Sequence, residues 1–208
     1  MNKTVKRLTT SAILIALATL LSFARLFQYP FGGSINLCAM LPICVIAYKY
    51  GFRWGFLSGF VFGFIQMLTG SVIGNPMALS SLDFALMISL DYFIAYACLS
   101  LSAVTKGRFK NESISFAIGI CIAATARLLV HTLSGYILFS SWASWFFSEY
   151  TGAFGTWVLD NIGGTALSLF YAFFYNALHM VPNTILTVIM GLLLFSSQAG
   201  KLWREIKV

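Results

Sequence analysis

Apolar stretches recur along the whole chain, and they restrict the protein to a bundle of helices in a lipid bilayer. About 20 apolar residues cross the roughly 30 Å of hydrocarbon as an α-helix, which satisfies its own backbone hydrogen bonds. Hydrophobic residues make up 59% of the 208 residues and charged residues only 9%, which is too apolar for a soluble domain. The sequence therefore predicts an all-α, polytopic membrane protein with a single transmembrane domain.

Six transmembrane helices are predicted from these stretches and from the turn residues between them. Their approximate bounds are 8–27, 37–48, 53–70, 81–104, 113–139 and 167–195, and an outer segment rich in aromatic residues covers 140–164. Pro182 is expected to kink the last helix, because proline removes a backbone hydrogen bond in a helix interior. The N-terminal stretch resembles a signal peptide, but its long apolar run and the spans that follow argue against that interpretation.

The net charge of +7 is distributed unevenly along the chain, and its pattern predicts the orientation in the membrane. Basic residues occupy the N-terminal end, two alternate connections and the C-terminal end: Lys3, Lys6, Arg7, Lys49, Arg53, Lys106, Arg108, Lys110, Lys201, Arg204 and Lys207. The other connections hold Glu149 and Asp160 and almost no basic residue. The positive-inside rule then places both termini in the cytoplasm. Because orientation accounts for the charge, no nucleic-acid partner is expected.

Enzymatic chemistry has little support in the sequence. The four cysteines are scattered without a C-x-x-C pair, so neither a metal site nor a disulfide framework is expected. No H-E-x-x-H motif and no G-x-x-x-x-G-K-[ST] motif occurs, so ATP hydrolysis would belong to a partner. Ser134 lies three residues after His131, but no oxyanion hole is evident beside this pair. No cofactor is expected.

Two of the predicted helices carry small residues at helical spacing. Ala12 and Ala16 lie one turn apart in the first helix, and glycines recur at every fourth position from Gly51 to Gly63. Small residues let helices approach each other closely in lipid. The glycine face is interpreted as internal packing, whereas the Ala12/Ala16 face either packs within the bundle or docks to a separate membrane subunit.

Polar side chains inside the apolar stretches predict an internal cavity. The motif TARLLVHTLSG at 125–135 places Arg127 and His131 one turn apart on the same helix face. A charged group in the bilayer interior costs about 3 kcal/mol or more, so this face is expected to line a polar cavity. Asp91 lies half-way along the fourth helix, where it either contacts a ligand or forms a purely architectural ion pair with Arg127. Asp83 lies near the outer end, where solvation is sufficient.

The polar set also includes phenols, an amide and a second imidazole from the fourth and sixth helices: Tyr92, Tyr171, Asn176 and His179. Together with a carboxylate and aromatic rings, these groups suit a small heteroaromatic cation. The acid can offset positive charge, and an amide can recognise a ring edge with one donor and one acceptor. Aromatic residues of the outer segment either anchor the chain at the bilayer surface or cover the cavity.

The order and spacing of these motifs resemble a known family, the thiamine-specific substrate-binding subunits (S components) of energy-coupling factor (ECF) vitamin transporters. The resemblance covers nearly the whole chain and rests on the Ala12/Ala16 helix, FGGSINLCAMLP, RWGFLSG, GFIQMLTG, the LDY ending at Tyr92, RLLVHTLSG, and FYAFFYN ending at Asn176. It implies six helices with both termini inside and a thiamine site near the outer face. It also implies delivery through a transmembrane coupling subunit and two ATPase subunits.

The resemblance further implies roles for residues of the central motifs. Asp91 stands where the family has an acid, often glutamate, that contacts the ligand, and Tyr92 follows it as in the family. His131 corresponds to a ligand-binding histidine, and Arg127 to a basic position one turn earlier. Aspartate in place of glutamate shortens the reach of the acid by one methylene.

Other positions match the family more loosely. Tyr171 and Asn176 correspond to a tyrosine and an asparagine five residues apart, and the Ala12/Ala16 face corresponds to the docking surface for the coupling subunit. Some relatives have a stacking tryptophan eight residues after the histidine. This chain has Phe139 there, with Trp142 beyond it, and a longer outer segment than is typical of the family.

Two other functions stay open at this point. One is an S component for another small vitamin or precursor, such as a pyrimidine moiety. The other is a self-sufficient secondary transporter, against which the lack of paired broken helices in matching halves of the chain argues.

Overall fold

The computed structural model describes residues 2–29, 32–70 and 78–196, and these residues form a mainly helical fold. In chain order the helices of this part are α1 Lys3–Phe23, α2 Leu41–Tyr50, α3 Phe52–Thr69, α4 Ser81–Ala103, α5 Glu112–Phe139, α6 Ala143–Tyr150, α7 Gly152–Asn161 and α8 Gly164–Ser196. Strands β1 Arg25–Gln28 and β2 Ser34–Asn36 form an antiparallel hairpin between α1 and α2.

Four helical segments of the described residues are long and apolar enough to cross a membrane: Lys3–Phe23, Ser81–Ala103, Glu112–Tyr150 and Gly164–Ser196. The helix α2 is apolar but has only 10 residues, and the 18-residue α3 falls outside this group of four. The predicted class, a helical membrane protein, is confirmed at this level.

The hairpin between α1 and α2 was not predicted, and it moves the ends of both helices. The first helix ends at Phe23 instead of near residue 27, because Phe27 pairs with Ile35 and Gln28 with Ser34. Gly32, with φ of 99°, adopts the left-handed conformation that suits the reversal. The second helix begins at Leu41 instead of 37, with Pro42 in its first turn, where a missing N–H costs nothing.

The outer segment 140–164 is folded into two short helices that pack on α8. Its core consists of Ala143, Phe146 and Phe147 from α6, Val158 from α7 and Tyr171 from α8, all of them buried. A single 3₁₀ turn, Ser140–Trp142, joins this layer to α5. The aromatic residues of the segment therefore build a second hydrophobic core at the end of α5 and the first half of α8.

The helix α8 runs unbroken from Gly164 to Ser196, although Pro182 lies inside it. Pro182 therefore does not interrupt the helix. Proline at position 182 has no N–H to donate to the carbonyl of Leu178. The Tyr29 hydroxyl lies 3.4 Å from that carbonyl oxygen and donates to it.

The larger core surrounds α2, which is buried from Pro42 to Tyr48. Ile43 and Ile46 pack there with Phe62, Phe116 and other side chains of α3, α4, α5 and α8. The glycines of α3 lie directly against neighbouring backbone: a Cβ at Gly59 would overlap the carbonyl oxygen of Tyr96. This agrees with the interpretation of the glycine face as internal packing.

Candidate ligand-binding cavity

A cavity of about 210 Å³ lies between α4, α5, α8 and the hairpin. The side chains that were predicted to bind a ligand all line it: Asp91, Tyr92, Arg127, His131, Phe139, Trp142, Tyr171 and Asn176. The fold therefore brings together residues from three helices and from the turn after α5. Whether each of them touches a ligand stays a prediction.

A hydrogen-bonded group of three side chains lies at the wall between α4 and α5. His131 Nδ1 is 2.8 Å from one carboxylate oxygen of Asp91, and the Ser134 hydroxyl donates to the other at 2.8 Å. The Asp91 side chain is only 18% exposed and that of His131 only 13%. The two carboxylate oxygens thus have separate partners, one on the imidazole ring and one on the hydroxyl.

The second ring nitrogen of His131 is the polar atom of this group that has no hydrogen-bond partner in the described part of the chain. This atom, His131 Nε2, is also buried. A buried polar atom without a partner costs free energy, about 1–3 kcal/mol for a neutral group.

Arg127 does not pair with Asp91, as the architectural alternative required. Its guanidinium lies over the ring of Tyr96, 4.3 Å from the ring centroid, and its Nη1 is 2.9 Å from the sulfur of Met40. Asp91 is thus hydrogen-bonded to His131 and Ser134, whereas Arg127 packs on the ring of Tyr96. Tyr96 and Met40 were not predicted, because a tyrosine and a methionine in apolar helices carry no distinguishing pattern.

Asn176 connects α8 to α5 across the cavity wall. Its Nδ2 donates to the carbonyl of His131 at 3.2 Å and to that of Ala172 at 2.8 Å. Both amide hydrogens are therefore used, and only the side-chain oxygen can bind a ligand. The expectation that this amide offers one donor and one acceptor to a ring edge is wrong in this respect.

Aromatic side chains line the end of the cavity nearest to α6. Phe139 and Trp142 line it where α5 turns into α6, and Tyr171 does so from α8. Trp142 packs edge-on against Trp145, which is 42% exposed and lies outside the cavity lining. Phe139 and Trp142 therefore remain the candidates for stacking on a ligand.

The hairpin closes one side of the cavity, and sequence reasoning missed its contribution. Gly32, Gly33, Ser34 and Asn36 line the cavity. Asn183 holds the hairpin: its Oδ1 accepts from the backbone N–H of Asn36 and its Nδ2 donates to the carbonyl of Ser34, both at 2.8 Å. Asn183 follows Asn176 by seven residues and His179 by four, so it lies on the same face of α8, and this spacing was the available signal for the contact.

A second contact between the hairpin and α8 depends on the absence of a side chain. The N–H of Gly33 lies 3.4 Å from the Tyr175 hydroxyl, and a Cβ at Gly33 would lie 2.9 Å from His179 Nδ1. Glycine at this position therefore lets the hairpin pack closely against the side chains of His179 and Tyr175. Together these features define the class: a helical membrane protein that encloses a cavity lined by polar and aromatic side chains.

Comparison with known proteins agrees with this class. The family model "Thiamine transporter protein (Thia_YuaJ)" matches residues 8–150, so the chain belongs to that family. Over 205 residues it is 25% identical to the thiamine transporter ThiT of Bacillus subtilis (strain 168), with 93% of this chain and 92% of that protein covered. The solved structure of ThiT from Listeria monocytogenes shares the fold, with a TM-score of 0.66, 20% identity and coverage of 96% and 98%. The thiamine-transporter resemblance seen in the motifs is confirmed.

Proposed function

We propose that this chain binds thiamine in the cavity and delivers it into the cell as the S component of an ECF-type, ATP-driven transporter. The observation that carries the proposal is the group of Asp91, His131 and Ser134 inside a cavity lined by every predicted ligand-binding residue. Membership in the thiamine transporter family supports the choice of ligand. The chain itself is proposed to have no enzymatic activity.

The geometry supports specific roles for the cavity residues. An exocyclic amine on a pyrimidine ring can donate to Asp91 or to His131 Nε2, and the Asn176 oxygen offers a further acceptor. Phe139 and Trp142 can stack on a cationic heteroaromatic ring, an attraction of about 0.5–2 kcal/mol per ring. Tyr92 and Tyr171 can donate hydrogen bonds to a hydroxyl tail, and Arg127 can bind its oxygen.

The membrane topology is part of the proposal. The helices α1 to α5 and α8 form six spans in one domain covering 1–208, with both termini in the cytoplasm of a prokaryotic cell. The alternating basic connections support this orientation in the plasma membrane. The layer of α6 and α7 then lies on the outer side, together with the hairpin and the cavity mouth.

The partners proposed are a transmembrane coupling subunit and two ATPase subunits. Ala12 and Ala16 are exposed, whereas the buried residues of α1 are Ser11, Ala18 and Ser22. The Ala12/Ala16 face is therefore not used for packing within the described bundle. It lines an open apolar groove between α1 and α3, which supports its assignment to docking.

Thiamine titration followed by tryptophan fluorescence tests the ligand. Because Trp142 lines the cavity, micromolar thiamine is expected to quench the emission with saturation. Competition with the isolated pyrimidine moiety and with an unrelated vitamin separates thiamine from the alternative ligands. A folded protein whose fluorescence and melting temperature do not respond to thiamine would contradict the proposal.

Release of the ligand is expected to depend on Asn183. Replacing Asn183 with alanine removes its two hydrogen bonds to the hairpin, each worth about 0.5–1.5 kcal/mol. We expect thiamine to dissociate about 5 to 150 times faster in stopped-flow measurements. Thr184→Ala is the matched control, because the Thr184 hydroxyl bonds only to the Met180 carbonyl within α8. Equal dissociation rates in both variants would exclude the hairpin as the barrier to release.

A further inference from the structure

The cavity-facing side of α4 is built on an unusual helical turn. Met87, Asp91, Tyr92 and Tyr96 all line the cavity, and the backbone from Ile88 to Ile94 is π-helical, with i→i+5 hydrogen bonding. Met87 and Tyr92 are five residues apart, and so are Asp91 and Tyr96. In an α-helix such pairs would diverge around the axis, whereas in the π-helical register each pair lies on one face.

The π-helical turn also packs against the glycine face of α3. A Cβ at Gly63 would overlap the carbonyl oxygen of Tyr92, and a Cβ at Gly59 would overlap that of Tyr96. Gly63 therefore contacts the backbone inside the π-helical stretch, at Tyr92, and Gly59 contacts it two residues after the stretch ends, at Tyr96. Contacts this close are formed by glycine Cα–H groups and carbonyl oxygens, which attract each other weakly.

We propose that Gly63 and Gly59 are positioning residues for the ligand: they hold α4 in the π-helical register that directs Asp91 and Tyr92 into the cavity. The proposal rests on the proposed function for its ligand. A π-helical turn is rare and persists where its surroundings stabilise it. A methyl group at position 63 pushes the Tyr92 carbonyl away from α3, and the shortest relief is a return to α-helical geometry.

Such a return changes the site, although Gly59 and Gly63 do not themselves line the cavity. It rotates Asp91 relative to His131 on α5, and their 2.8 Å hydrogen bond tolerates only a few tenths of an ångström. The competing explanation is that these glycines serve only tight packing in the membrane. In that case their replacement lowers stability and leaves ligand affinity unchanged.

Gly55 provides a matched control on the same face of α3. A Cβ at Gly55 would overlap the Ala47 side chain on α2 and lie 3.3 Å from Ser100, and neither residue lines the cavity. Gly55→Ala therefore introduces a comparable overlap one helical turn further from the π-helical stretch. It is expected to cost stability without moving Asp91.

The experiment compares Gly63→Ala, Gly59→Ala and Gly55→Ala in the full chain. Melting temperatures without ligand are expected to fall in all three variants. The thiamine Kd is expected to rise about tenfold or more in the first two and less than about twofold in Gly55→Ala, as for the loss of one or two hydrogen bonds. If Gly63→Ala does not fold, Gly59→Ala decides by the same criterion. Equal Kd values in the folded variants would overturn the positioning role.

A ligand-free measurement separates this inference from the proposed function. The chain has two histidines, so the ring ¹⁵N signals of His131 can be assigned with a His179→Gln variant. Gly63→Ala is expected to shift the His131 Nδ1 signal, and Gly55→Ala to leave it in place. An unchanged signal in Gly63→Ala refutes the positioning role even if thiamine binds. Failure of the wild-type chain to bind thiamine refutes only the ligand.

Discussion

Asp91→Ala is expected to abolish high-affinity thiamine binding. The substitution removes the carboxylate that orients His131 and accepts from Ser134, and it leaves both donors in a largely buried place. In the proposed complex Asp91 also accepts from the ligand, and removing one partner of such a buried, charged hydrogen bond costs about 2–5 kcal/mol, which corresponds to a rise in Kd of roughly 30-fold to 5,000-fold. Isothermal titration of the purified chain with thiamine measures the change.

Asp83→Ala is the control for this prediction. Asp83 lies in the first turn of α4, where it accepts a hydrogen bond from the Ser80 hydroxyl, and it does not line the cavity. Its replacement is expected to change Kd by less than about threefold, since surface substitutions cost little. Comparable losses of affinity in the two variants would mean that the wrong acid has been assigned to the ligand.

Ala12→Leu and Ala16→Leu are expected to abolish thiamine uptake and to leave thiamine binding unchanged. Both positions are exposed in the groove between α1 and α3, so a larger side chain fills the space that a docking helix needs. Close approach of helices in lipid depends on such small residues. The measurement is ATP-dependent uptake into proteoliposomes that also contain the coupling subunit and the ATPases, with a parallel binding titration.

Ile13→Phe is the matched control for the docking surface. Ile13 is 63% exposed on α1, next to the alanine at position 12, but it does not line the groove. Its enlargement is expected to leave uptake near the wild-type rate. Normal uptake by both alanine variants would show that the Ala12/Ala16 face is not the docking surface.

The polar residues of the cavity were predictable because each of them is energetically unfavourable in an apolar helix. Asp91, Arg127 and His131 lie in apolar stretches, where an isolated polar group is unfavourable. Their helical spacing indicated a common face, and the structure places them on one cavity. Their pairing was not predictable, because Arg127 and His131 lie one helical turn apart and either could be the partner of Asp91. In the folded protein, the packing of α4 against α5 places His131 next to Asp91.

The hairpin and the π-helical turn had no comparable signal. The residues of β1, Arg-Leu-Phe-Gln, suit a helix as well as a strand, and pairing with Ser34–Asn36 decides the outcome. The segment Ile88–Ile94 reads as an ordinary apolar helix, because a change of register depends on the neighbouring face of α3. The roles of Asn176 and Asn183 also depend on which backbone groups lie opposite them. Such groups are absent from any sequence pattern.

The proline of α8 leaves a main-chain acceptor to which the hairpin is bound. Since Pro182 cannot donate to the Leu178 carbonyl, that oxygen is available to Tyr29. Any residue at position 178 would present the same oxygen, so the acceptor depends on the main chain and on Pro182, while the Tyr29 hydroxyl supplies the donor. A residue with an N–H at position 182 would strengthen the helix and would compete with Tyr29 for that single acceptor atom.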